Sequence, residues 1–128
     1  MKKVFAITLT YKSDKVTKEL LDSLLSVEPN NFKLNVVILD NYPKKPIKLD
    51  SKKYKKLNLQ IIYNTQNLGF SAGNNKGIDL ALKNGADYIL IINNDTEVDK
   101  NFLTELISIF ETKNDVGIAA PLIYFGKG

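Results

Sequence analysis

The 128-residue chain contains no cysteine, no histidine and no arginine. Without cysteine, disulfides and thiolate metal sites are excluded. Without histidine, any general base has to be a carboxylate, or failing that Lys or Tyr, and any metal site has to be built from oxygen ligands. Such ligands favour Mg²⁺, Mn²⁺ or Ca²⁺ over zinc. No apolar run approaches the ~20 residues that a membrane span needs. Lys2 and Lys3 precede an apolar stretch, but Thr8, Thr10 and Tyr11 interrupt it and no small-residue cleavage site follows, so no secretory signal is read there.

What is present reads as one globular domain over residues 1–128, with 44% apolar and 25% charged residues. The net charge of +4 hides an asymmetry. All eighteen basic residues are lysine, and seven of them (Lys44, Lys45, Lys48, Lys52, Lys53, Lys55, Lys56) fall within residues 44–56, with Asp50 as the sole acid. Outside that segment eleven lysines face thirteen acids, a balance of −2. A nucleic-acid footprint would show such a patch, but lysine without arginine lacks bidentate phosphate contacts, and a solvated loop is the plainer expectation.

Hydrophobic periodicity alternates between strands and helices. "KVFAITLT" (3–10), "LNVVILD" (34–40), "LNLQIIY" (57–63) and "YILII" (88–92) read as strands, and "VGIAAPLIYF" (116–125) as the start of a further one. Ser13 or Asp14 can cap a helix with Val16, Leu20, Leu21, Leu24 and Leu25 on its stripe, ending by Pro29. The segment 64–77 leads into a second helix that ends near Asn84 and Gly85. Asp99 is positioned to cap a third, with Phe102, Leu103, Leu106, Ile107 and Phe110 inward. This order predicts a three-layer α/β/α sandwich with a mostly parallel central sheet. Ligands of such sheets bind beyond the carboxyl ends of the strands, which puts 10–13, 40–42, 64–75 and 93–96 on one rim.

The polar residues collect at those four places. Asp40, closing an apolar strand, suits either a hydrogen bond to a ring N–H or ribose hydroxyl or the capping of the next turn. Asn67, Gly69, Gly73, Asn74 and Asn75 precede or open a helix, where backbone N–H groups approach an anion; the spacing matches neither a dinucleotide fingerprint nor a phosphate loop, so a tight turn with a helix start is the plainer expectation. Asp95 directly follows an apolar strand, a costly place unless it is paired or faces solvent. Glu97 and Asp99 extend it to D-x-E-x-D. A calcium loop is excluded because Lys100 stands where glycine is needed and Leu106 where the bidentate Glu belongs.

"TLTYK", "VVILDN", "NLGFSAGNNKGI" and "IINNDTEVDKNFL", in this order and at these intervals, resemble the family 2 glycosyltransferases of GT-A fold, most nearly their rhamnosyltransferase-like branch, over residues 3–125. The resemblance implies a metal-dependent, inverting transfer of sugar from a nucleotide-diphosphate donor, UDP- or dTDP-linked, to a glycan or lipid-linked acceptor. It implies that Thr10 and Tyr11 line the base and ribose, that Asp40 bonds the base beside Asn41, and that Asn67, Gly69, Gly73 and Asn74 wall the donor pocket. Asn93, Asn94 and Asp95 would form the metal–diphosphate platform, with Asp95 as the last aspartate of a D-x-D motif holding Mg²⁺ or Mn²⁺. Asn93 replaces the first aspartate of that motif.

Two departures qualify these expectations. After Asp40–Asn41 the family reads G-S-x-D, and here Tyr42–Pro43–Lys44–Lys45 stands instead, which removes a second acid near the base. The family's catalytic base lies well downstream of the D-x-D motif, and this chain ends about thirty residues after Asp95. The chain is therefore expected to supply the donor-binding half, with a non-catalytic nucleotide-sugar-binding module as the alternative. A nucleotidyltransferase is disfavoured because "TYKSDK" has no glycine. The remaining expectations are a cytoplasmic protein, peripheral at the inner membrane face, that takes no nucleic acid and self-associates through apolar surface around Ile118–Phe125.

Overall fold

The computed structural model describes residues 1–126. Four parallel strands, β1 (Lys2–Thr10), β2 (Phe32–Asp40), β3 (Gln60–Tyr63) and β4 (Tyr88–Ile91), form one sheet in the order β3-β2-β1-β4. Helices α1 (Asp14–Leu25), α2 (Gly69–Lys83) and α3 (Phe102–Thr112) cover its two faces. The expected three-layer sandwich is present.

The period-two alternation of a strand divides β1 between the layers. Val4 and Ala6 join α1 residues Leu20, Leu21 and Leu24 and α3 residues Leu103 and Ile107 in one core. Phe5 and Ile7 join Val37, Leu39 and Ala81 of α2 in the other. β1 and β2 are central and covered on both sides, hence their apolar runs; β3 and β4 are half-exposed edges.

α2 packs through small residues that recur every four positions: Gly73, Gly77 and Ala81 are all buried. A Cβ on Gly77 would stand 2.6 Å from Ile7 Cγ2, and one on Gly73 would stand 2.8 Å from Leu9 Cδ2. Those glycines let the helix backbone approach the sheet. Gly85, in the left-handed region at φ 74°, ends α2 as its position in the sequence suggests.

The connection from β2 to β3 is long and largely irregular, yet it is anchored. Ile47, Tyr54 and Leu57 are buried, the last in a single 3-10 turn over Lys55–Leu57. Tyr54 Oη donates to Asp22 Oδ1 at 2.9 Å, and Lys53 Nζ lies 2.7 Å from the same oxygen. The Lys53 ammonium and the Tyr54 hydroxyl hold the Asp22 carboxyl below its ordinary value.

The elements differ from the sequence reading in several places, beginning with β1 and β2, which start earlier than expected, at Lys2 and Phe32. β3 begins at Gln60, because Leu57 is spent in the 3-10 turn and Asn58 adopts a left-handed conformation at φ 44°. β4 ends at Ile91, although Ile92 N–H still donates to Ile7 O. The strand expected over 116–125 is absent: its described residues are irregular and mostly exposed, with Ile118, Leu122, Ile123, Tyr124 and Phe125 all facing outward. β propensity forms no strand without a ladder partner, and Pro121 removes one donor from any ladder.

Replacing Gly77 by Ala is expected to cost about 1–3 kcal/mol through overpacking against Ile7 and Leu39. Urea unfolding of the variant beside the parent chain measures it.

Candidate functional site

The parallel register lines up the strand ends. Thr10 pairs with Asp40, and Asp40 with Tyr63. β4 stops alongside Ile7, so the chain after it rises along the end of β1. Segments 10–13, 40–42, 64–69 and 93–96 thus share one rim.

At the β2–β3 side the rim is closed by amides and a carboxylate. Asp40 is 3% exposed. Its Oδ1 accepts the Tyr42 N–H at 2.9 Å and its Oδ2 the Ile47 N–H at 2.7 Å. Turn capping is therefore what the free carboxylate does, though a carboxylate keeps further lone pairs. Asn41 is a hub: its N–H donates to Thr10 O, and its Oδ1 accepts Asn64 Nδ2 at 2.8 Å and, more distantly, the Leu68 N–H. Lys76, from the second turn of α2, donates to Asn64 Oδ1 at 2.6 Å. Asn67 Oδ1 accepts the Gly69 N–H, and Gly69 occupies the left-handed region at φ 73° with open space around it.

The β1–β4 side is a cluster of hydroxyls. Thr17 Oγ1 lies 3.0 Å from Thr10 Oγ1, and Ser13 Oγ lies 3.3 Å from it. Asn94 Nδ2 donates to Ser13 Oγ at 2.7 Å and to Thr17 Oγ1 at 3.0 Å. Ser13 precedes α1 but makes no side-chain cap bond; its oxygen serves Asn94 instead. The loop after β4 continues along α1, with the Val98 N–H on Ser23 Oγ. Asp99 does not cap α3 directly: its Oδ1 accepts the Asn101 N–H two residues on.

Between these sides Tyr11 and Tyr42 meet edge to face at 5.2 Å, and Lys12 Nζ lies 4.9 Å from the Tyr42 centroid. Lys12 takes a left-handed φ of 53°, a strained choice for a residue with a side chain. Tyr11 is about half exposed.

The sequence-predicted residues therefore fall into two sets. Tyr11, Asn67, Gly69, Asn93 and Asp95 are exposed at the rim. Thr10, Asp40 and Asn41 are buried beneath it, and Asn94, half-buried, is held by α1. Gly73 and Asn74 lie inside the α2–sheet contact rather than on the rim, Gly73 because its Cα approaches Leu9. Asn74 is 6% exposed and its Nδ2 has no hydrogen-bond partner among the described residues. Sequence reasoning put Lys12, Ser13, Tyr42 and Asn64 on the rim without giving them a part in the site, and passed over Thr17 and Lys76 altogether. Asn64 directly follows β3 just as Asn41 directly follows β2, and that parallel was the available signal.

No hydrogen bond or ion pair among the described residues engages the Asp95 carboxylate, and no group of three or more acidic side chains there could encircle a metal ion. A cation held at the Asp95 carboxylate would need most of its oxygens from a ligand and water, with Asn93, also exposed and two residues before it, as the nearest amide in sequence. That donor set suits Mg²⁺ or Mn²⁺ on a diphosphate, since such ions commonly keep few protein ligands.

The model of glycosyl transferase family 2 matches residues 5–128, and the chain belongs to that family. No curated protein sequence matches it. Among solved structures it resembles residues 1–349 of S. aureus TarS, at 25% identity and a TM-score of 0.64 over 95% of this chain. A second S. aureus TarS structure matches at 28% identity and 0.63 over 88% of the chain. The mannosyltransferase PcManGT from Pyrobaculum calidifontis, in complex with GDP-Man and Mn²⁺, shares the fold at 20% identity and 0.61 over 81% of the chain. The architecture is thus of GT-A type. The chain spans 39%, 20% and 31% of these three chains in turn.

Asn94→Ala is expected to lower stability by about 1–2 kcal/mol by releasing two hydroxyl contacts. Asp95→Ala, at an exposed carboxylate with no partner, is expected to stay within about 0.5 kcal/mol of the parent. Urea unfolding of the two variants side by side makes the comparison.

Proposed function

We propose that this chain forms the donor-binding part of an inverting, divalent-metal-dependent glycosyltransferase that takes a UDP- or dTDP-linked sugar. The observation that carries the reading is the exposed, unpartnered Asp95 carboxylate on the same rim as Tyr11 and the buried Asp40. In this reading Tyr11 covers the base and ribose face, and Asp40 offers its remaining lone pairs to a base N–H. Asn67 and the open backbone at Gly69 bound the pocket at the α2 end. The orphaned Nδ2 of Asn74 lies off this rim, inside the α2–sheet contact, where an ordered water would satisfy it.

Asp95, with the Asn93 amide, would hold Mg²⁺ or Mn²⁺, which would supply positive charge against a nucleoside diphosphate leaving group. The Asn41–Asn64–Lys76 and Ser13–Thr17–Asn94 networks fix the rim so that these groups need not reorganise when the donor arrives. Support for the nucleotide class comes from a TarS structure in complex with UDP-GlcNAc and another with UDP. The general base is assigned to no residue of this chain: Asp99 is engaged in its own turn, and Glu97 and Glu105 stand exposed beyond the rim. The acceptor, glycan or lipid-linked, follows the family expectation, as does a cytoplasmic reaction at the inner membrane face. That no described residue is assigned as the general base favours one other reading, a module that binds nucleotide sugar without transferring it.

Calorimetric titration of UDP and dTDP into the chain, with and without Mn²⁺, tests the proposal. Expected is metal-dependent binding that Asp95→Ala weakens by at least about tenfold, on the order of 1.4 kcal/mol. Binding that ignores both metal and the substitution would contradict Asp95 as the metal ligand. Sugar release from a UDP-sugar by the same chain separates transferase from binding module.

A further inference from the structure

The lysines between β2 and β3 take no part in the rim chemistry. Lys44, Lys45, Lys48, Lys52, Lys55 and Lys56 are all exposed. The ion pairs found among the described residues are Lys53–Asp22 and Lys100–Glu28, so these six ammonium groups have no anionic partner there. The one acid of the segment is not shared with them either, because Asp50 Oδ1 accepts the Lys52 and Lys53 backbone N–H groups.

Nor is the segment a slack loop. Its apolar residues Ile47, Tyr54 and Leu57 are 1–2% exposed and grip the domain. At one end the Ile47 N–H reaches Asp40 at the rim; at the other Asn58 Nδ2 donates to Leu34 O. Leu34 and Asp40 are six residues apart on one strand, about 20 Å at ordinary strand rise. The lysines are therefore displayed along one flank of the domain on a fixed backbone, while the rest of the chain carries a balance of −2.

We propose that this flank docks on the surface of a bilayer rich in anionic lipid. A one-sided excess of cations orients a domain on a planar negative surface and turns its acidic remainder away. Lysine suits diffuse attraction to headgroup phosphates, whereas readout of a nucleic acid draws on arginine forks and free aromatic faces. The chain has no arginine, Tyr54 is buried, and Tyr42 is half-buried against Tyr11 and Lys12. The inference does not depend on donor binding at the rim.

Co-sedimentation of the chain with vesicles of phosphatidylcholine, with and without about one-third phosphatidylglycerol, tests it at roughly 0.1 M salt, where surface charges act over ~10 Å. Each lysine near such a surface is worth roughly a fivefold gain in partitioning. Binding is expected with phosphatidylglycerol alone, and K44Q/K45Q should lower it by at least about tenfold. K83Q/K113Q, at the C-terminal ends of α2 and α3 and outside the 44–56 segment, should lower it less than about fivefold. The salt dependence of the unsubstituted chain gives a reading that no folding defect can imitate, with partitioning falling steeply as salt rises. Equal binding to both vesicle types, equal loss in the two variants, or no binding at all would overturn the proposal. So would tighter binding of a single-stranded oligonucleotide that K44Q/K45Q abolishes, which would make the flank a nucleic-acid surface.

Discussion

A parallel sheet ends on a row of backbone groups that have run out of ladder partners, and here two side chains at the end of β2 resolve that problem. Asp40 takes the Tyr42 and Ile47 N–H groups, and Asn41 takes the Asn64 amide while its own N–H reaches Thr10 O. Both residues are 3% exposed, where an unmade hydrogen bond costs about 1–3 kcal/mol. The turn after β2, the end of β3 and the start of α2 all hang from this pair. The rim is therefore a stiff frame before any ligand reaches it.

The frame explains why so much of the fold was legible in the sequence. β1 and β2 are buried on both faces and must be apolar throughout, so they stand out as runs such as "VVILD". The strand order and register place the four polar loops together, as the alternation of strands and helices implies. Gly85 and the α3 stripe were readable for local reasons, a left-handed C-terminus and 3.6-residue periodicity. Residues 116–125 misled because propensity describes a surface that suits pairing and says nothing about whether a partner strand exists.

The rim was legible in the segments it gathers and not in the division of labour among their residues. Sequence puts Asn93, Asn94 and Asp95 side by side as one polar group. Only the contact of Asn94 with Ser13 and Thr17, residues about eighty positions away, shows that the middle one serves α1. Gly73 and Gly69 likewise look alike on paper. One admits the helix backbone to Leu9, and the other supplies a positive φ in open space. Such distinctions are set by long-range packing, which no local spacing encodes.

On the proposed reading Asp95 is the metal-facing group of a rim whose frame is already satisfied. Paramagnetic broadening of backbone amide signals by trace Mn²⁺ in the presence of UDP tests it most directly. Residues 93–96 are expected to broaden first, followed by 10–14, while Glu19, Glu105 and Glu111 keep their signals. Broadening spread evenly over Glu19, Glu105 and Glu111, or undiminished at 93–96 in Asp95→Ala, would contradict it.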